Sequence, residues 1–188
     1  MKRTGIHHLG LATLDIDKTV DFWTNKLGCE VVLYDLIETP GGGRMKHVFM
    51  DTGDGSLVAF VCPDKVPQLP TEWSPDINAA QGLPGGFYHF AFWADDLSAL
   101  EAKRADLLSK GVDVSVVVDH EWCRSIYLKD PNGLTVEFCS YMREFTEADK
   151  VMHHHEQPGS SGVQDIVERE KLLNMLMKVN HKRSRPPE

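Results

Sequence analysis

The chain repeats itself, and that repeat limits the fold more than any other feature. Phe49-Met50-Asp51-x3-Gly55-x3-Ala59-Phe60 lies on Tyr127-Leu128-Lys129-x3-Gly133-x3-Glu137-Phe138 at a shift of 78, and His8 lies on His89 at a shift of 81. Each copy reads as βαβββ. In the first, Ile6 to Thr13 alternates as a strand and Asp15 or Asp17 caps a helix through about Lys26. Gly28 stops that helix, and strands follow over Cys29 to Ile37, Met45 to Met50 and Leu57 to Cys62. In the second, Phe87 to Trp93 is the first strand, Asp95 or Asp96 caps the helix, and Gly111 ends it. Val112 to Val118 is the next strand, and a hairpin closes the copy. Two equivalent units imply a pseudo-twofold axis and an α+β fold of two βαβββ repeats around one cavity.

The hairpin fixes its own register. Asp130-Pro131-Asn132-Gly133 is a turn between apolar runs. Setting Tyr127 opposite Glu137 places Ile126 against Phe138 and Leu128 against Val136. One face is then apolar, and the other carries Ser125, Tyr127, Thr135, Glu137 and Cys139. A slip of one residue would set Glu137 against Ile126. By the same parity His8 and His89 point to the inner side of their strands, so the repeat defines four equivalent inward positions: His8, Ala59, His89 and Glu137. Two imidazoles and one carboxylate suit a non-haem Fe(II) site with coordination positions left open. His7 has the opposite parity and is expected to be packed or exposed.

The spacing Val118-x-His120-x5-Ile126-Tyr127-x2-Asp130-Pro131-x-Gly133-x3-Glu137 resembles the signature of the type I extradiol ring-cleaving dioxygenases, within the vicinal-oxygen-chelate (glyoxalase and bleomycin-resistance) superfamily. The resemblance covers about three quarters of the chain. It implies metal ligands at His8, His89 and Glu137, catalytic roles for His120 and Tyr127 as hydrogen-bonding partners of substrate and oxygen, and Fe(II) as the metal, with Mn(II) or another divalent ion as the alternative. The implied partners are a small catechol-like aromatic substrate and O2, and the chain is expected to form a homo-oligomer. Two departures matter. Glyoxalase-type isomerases place a fourth ligand where Ala59 stands, which disfavours a lyase, isomerase or epimerase. The dioxygenases carry another histidine about where Ser56 stands, and His47 is the nearest spare imidazole. A protein that binds an aromatic compound without turning it over is the reading from a different class.

Composition narrows the partners. A formal charge of -8 and a pI near 5.6 leave no basic stripe for nucleic acid or anionic membrane. Without an apolar leader or an 18-residue apolar run, a cytoplasmic location is expected. Cys29, Cys62, Cys123 and Cys139 lack paired spacing and read as reduced thiols. The domain is expected over residues 1–141, with repeats at about 6–62 and 87–140 and a lid-like connector at 63–86. Residues 142–188 read as linker and C-terminal helix. His153-His154-His155 reads as a solvated loop, and Val163 to Val179 as a helix that docks on the body or on a neighbouring subunit. Trp93 and Trp122 are candidate aromatic walls, and Arg124 is a candidate anchor for an acidic substrate.

Overall fold

A computed structural model describes residues 5–67, 69–152 and 166–177. The His153 to His155 tract and the stretch after it to residue 165 lie outside the described residues. The fold is α+β, with two four-stranded mixed sheets. The first repeat comprises β1 (His8–Ala12), α1 (Ile16–Asp21), β2 (Glu30–Glu38), β3 (Arg44–Asp51) and β4 (Leu57–Asp64), and its strand order is β1-β4-β3-β2. After α2 (Ile77–Gln81), the second comprises β5 (His89–Trp93), α3 (Leu97–Ser109), β6 (Val118–Asp119), β7 (Cys123–Lys129) and β8 (Thr135–Tyr141), in the order β5-β8-β7-β6. A further helix, α4 (Ile166–Met177), follows. β1 runs parallel to β4 and β5 to β8, with Gly10 beside Ala59 in one and Ala91 beside Glu137 in the other. The repeat in sequence is thus a repeat in register.

Local chemistry explains the boundaries. Asp15 caps α1 through the Lys18 amide and Asp96 caps α3 through the Ala99 amide, each leaving one end donor satisfied. Past Asp21 the first helix widens into a π turn, Phe22–Lys26. The hairpin has the expected register, with Tyr127 opposite Glu137, Ile126 opposite Phe138 and Leu128 opposite Val136. Gly133 takes φ 82, and a Cβ there would stand 2.7 Å from the Asp76 carboxylate, so the turn needs glycine twice over.

Two expectations change. The strand expected from Val112 shrinks to Val118–Asp119, because Val114 makes only an isolated bridge to Leu128 and the Ser115 hydroxyl takes the Tyr127 amide that a ladder would use. The connector at 63–86 is partly ordered by its own polar groups. Buried Asn78 donates to Gly85 O and Tyr88 O and accepts from the Tyr88 amide, which ties α2 to the start of β5.

One apolar core serves both repeats. The outer faces of the two sheets contribute Leu11, Val48, Met50, Val58 and Phe60 on one side and Ile126, Leu128 and Val136 on the other, while the helices add Trp23, Leu100 and Leu107. Trp23 sits at the junction, with its ring 5.4 Å from Phe60 and 5.9 Å from Phe92. Its indole donates to Asp130 Oδ2 at 3.1 Å, which bolts the helix of the first repeat to the hairpin turn of the second. Asn132 adds a bond to Thr19 Oγ1. Lysines cross between helix ends: Lys26 Nζ donates to Lys110 O at 2.9 Å, and Lys103 Nζ to Leu27 O at 2.6 Å. Among the described residues, no helix is long and apolar enough to cross a membrane.

Trp23→Phe empties part of the joint and leaves a buried carboxylate one donor short. It is expected to cost about 2–4 kcal/mol in urea unfolding, more than an ordinary aromatic exchange; a loss under 1 kcal/mol would show that the joint is not where the repeats are held.

Candidate metal centre

The inner face of the second sheet gathers a polar cluster. His89 on β5 and Glu137 on β8 meet with Nε2 3.0 Å from Oε2; the carboxylate is buried and the imidazole is 39% exposed. The other ring nitrogen, Nδ1, donates to the Gly86 carbonyl at 3.0 Å. That bond fixes the ring and turns Nε2 toward the carboxylate, as the carbonyl partner of a metal-binding histidine does. Tyr127 on β7 stands directly opposite Glu137 in the ladder with Ser125 on the same face, and His120 Nε2 lies 2.9 Å from the Tyr127 hydroxyl. Five side chains from three strands and the β6–β7 turn thus share one polar face.

The electrostatics follow from the contacts. Burial pushes the Glu137 carboxyl up, but hydrogen bonds from His89, Ser125 and Tyr127 outweigh it and hold the group below the usual carboxylate range. The Glu137 bond raises His89 against the opposing effect of burial. Burial, then the Glu137 charge, pushes the Tyr127 phenol far up, so it keeps its proton at any physiological pH. Burial lowers His120. The cluster therefore combines an ionised carboxylate, a neutral phenol that can donate, and an imidazole biased to the neutral form.

His8 does not join this cluster within one chain. It stands exposed on β1, with Nδ1 2.8 Å from Nδ1 of the exposed His7 and its ring 5.2 Å from Phe49. Among the described residues, no three His, Cys, Asp or Glu side chains converge as a metal site would require. The reason lies in the core. Because the outer faces of both sheets share it, the inner faces that carry His8 and the His89–Glu137 pair are not brought together. The inner face of the first sheet instead carries a row of its own, in which the His47 ring lies 4.6 Å from Phe49 and Nδ1 3.2 Å from Asp35. Ala59 is buried on that face and offers no ligand.

A transition ion asks for more than two protein donors, and one chain supplies His89 and Glu137. Their fit is nonetheless that of a ligand pair: a preset imidazole and an ionised, hydrogen-bonded carboxylate on one wall. At the open end of that wall the exposed rings of Trp93 and Tyr141 lie 4.8 Å apart, with Trp122 and Phe145 behind Tyr141 at 5.8 and 5.7 Å. Arg124 has the opposite parity and pairs with Asp119, so it does not reach this wall. Two contributors lacked a signal of their own. Ser125 was placed on the polar face without a role, and the Gly86 carbonyl, being backbone, leaves no mark in the sequence.

The chain belongs to the Glyoxalase/Bleomycin resistance protein/Dioxygenase superfamily, whose family model matches residues 5–138. Solved structures repeat the fold. A glyoxylase/bleomycin resistance protein/dioxygenase domain from Frankia sp. EAN1pec superposes with TM-score 0.58 at 13% identity, covering 80% of this chain and 100% of that one. A glyoxalase/bleomycin resistance protein/dioxygenase from Nocardioides gives 0.52 at 22% identity, covering 78% and 89%. An integron cassette protein from the mobile metagenome of the Halifax Harbour sewage outfall gives 0.51 at 24%, covering 73% and 99%. Among curated protein sequences none matches. At these identities the likeness is one of fold.

Tyr127→Phe keeps the ring and removes the hydroxyl, leaving the half-buried His120 without its Tyr127 partner. Metal-free protein should lose about 1–3 kcal/mol in denaturant unfolding without change in far-ultraviolet dichroism; an unchanged midpoint would mean that the hydroxyl is not part of the cluster.

Proposed function

We propose that the protein is an extradiol-type dioxygenase that opens a catechol-like ring with O2, using Fe(II) or, in its place, Mn(II) or another divalent ion. The observation that carries this reading is the gathering of His89, Glu137, Tyr127 and His120 on one sheet face, with His89 bonded to Glu137 and His120 to Tyr127. Held by His89 and Glu137, the metal would supply a redox-active Lewis acid at which substrate and O2 are brought together. Tyr127 keeps its proton on the phenol and can present it to an oxygen atom of the substrate. His120, backing that hydroxyl and biased to the neutral form, can take a proton from it. Trp93 and Tyr141 offer flat apolar surface at the mouth, which suits a planar ring.

In this reading His8 of a second copy is the third ligand. On the inner face of the first sheet β2 leaves Leu33 46% exposed, and Tyr34 and Leu36 are exposed on the opposite face of the same edge strand, so apolar surface of the kind that marks association runs along this edge. The same face would deliver His47, the imidazole that can stand in for the histidine missing at Ser56. Ala59 removes the base that a glyoxalase-like lyase, isomerase or epimerase would use. The aromatic mouth would also serve a protein that only binds an aromatic compound, and metal dependence separates the two.

Anaerobic reconstitution with Fe(II), followed by oxygen uptake over a panel of catechols, is the test. Wild-type protein should consume O2 with at least one catechol. Glu137→Ala and His89→Ala should lose both metal and uptake. Tyr127→Phe should keep the metal and fall about 10²- to 10³-fold in turnover, as when a preorganised donor is removed. Tight aromatic binding by metal-stripped protein, with no uptake by the reconstituted form, would replace this reading with the binding protein.

A further inference from the structure

The C-terminal helix α4 lies against the inner face that carries the site. Leu172 is 3% exposed and packs with Val118 and Tyr127, and Met175 and Leu176 flank that contact. Val118 and Tyr127 share the face of Glu137 through the β6–β7–β8 register, so α4 covers the β6 and β7 side and leaves β5 and β8 open. A second contact lies at the end of the helix. The Gly86 amide donates to Leu176 O at 2.6 Å, while the Gly86 carbonyl accepts from His89 Nδ1. The neighbouring Gly85 carbonyl accepts from the Thr135 hydroxyl on β8. Approach here is so close that a Cβ on Gly85 would stand 2.5 Å from Met175 O and one on Gly86 3.2 Å from Leu176 O. Neither glycine has positive φ, so close packing against α4, and not backbone conformation, is what these positions ask of glycine. An ion pair of 2.5 Å between Lys171 and Asp113 adds a third tie to the body.

We propose that α4 is a built-in positioning element of the metal site: through Leu172 it fixes the Tyr127 ring, and through Leu176 O it fixes Gly86, whose carbonyl holds the His89 imidazole. The inference rests on the reading that His89 and Glu137 hold the metal. Two features argue that this helix does more than shield apolar surface. It touches the phenol directly through Leu172, and it reaches the imidazole through one residue, Gly86, whose amide donates to Leu176 O and whose carbonyl accepts from His89 Nδ1. Both ties act on orientation. A histidine whose Nδ1 partner shifts turns its Nε2 away from the carboxylate, and loss of such a supporting partner lowers metal affinity by about 10- to 100-fold. A tyrosine freed on one side loses the fixed direction of its hydroxyl.

Full-length variants test this with Co(II) alone as the probe, its binding followed by calorimetry and by the visible absorption of the bound ion. Gly85→Ala wedges the helix off at Met175 O, and Leu172→Ala empties its contact with Tyr127. Each should weaken Co(II) binding about tenfold or more. Leu172→Met should restore affinity to near the wild-type value, and Leu173→Ala, on the exposed side of the helix, should leave it unchanged. Hydrogen exchange of the wild-type Gly86 amide gives a reading that does not depend on any variant. It should be protected, and Leu172→Ala should release it. Wild-type protein that binds Co(II) with an unprotected Gly86 amide, or variants that bind as tightly as wild type, would overturn the role of α4 and leave the metal site standing. Wild-type protein that binds no Co(II) would overturn the metal site itself, and this inference with it.

Discussion

The bond between the Trp23 indole and Asp130, with the ring wedged between Phe60 and Phe92, decides which surfaces of the two repeats meet. It joins outer face to outer face. Once Leu11, Met50 and Phe60 share a core with Ile126, Leu128 and Val136, the inner faces are left as separate walls. One wall carries His8, His47 and Phe49, and the other carries His89, Glu137, Tyr127 and His120. On the proposed reading the chemistry of the site follows from that separation, because each wall alone holds fewer donors than a transition ion needs.

The two walls are finished differently. The second sheet has its face partly closed by the chain itself: α2 and the Gly85–Gly86 stretch border β5 and β8, and α4 covers Val118 and Tyr127. Ser125, Thr135 and Glu137 are accordingly buried, with Thr135 bonded to the Gly85 carbonyl and Glu137 to His89. The first sheet has nothing comparable among the described residues, and β2 is exposed along most of its length. On the proposed reading the two walls are a finished and an open half of one site. In our account a second copy sets its open wall against the finished one, so that each chain gives His8 and receives it.

How far the sequence could be read depends on what kind of question was asked. The pairing of Tyr127 with Glu137 was legible because parity penalises every other register, and the caps at Asp15 and Asp96 were legible because few residues can satisfy those amides. Family membership was legible from the D-P-x-G-x3-E turn and its surroundings. Parity, however, tells inner from outer within one sheet and is silent on which faces of two sheets share a core. That depended on Trp23, which at the sequence level is one apolar helix residue among several. The Gly86 carbonyl and the docking of Leu172 were illegible for a simpler reason. The first is backbone, and the second is one leucine on an ordinary amphipathic helix.

The account stands on a site shared between copies, and complementation between two defective chains tests that claim most directly. His8→Ala protein and Glu137→Ala protein, each inactive alone, are unfolded together, refolded as a mixture and reconstituted with Fe(II). If the site is shared, a mixed pair holds one complete set, His8 from one chain with His89 and Glu137 from the other. Metal binding and oxygen uptake should then return to about one quarter of the wild-type level, since half of random pairs are mixed and each regains one of two sites. A mixture as inactive as its two parents, with mixed pairs present by mass, would show that His8 serves no site in a partner.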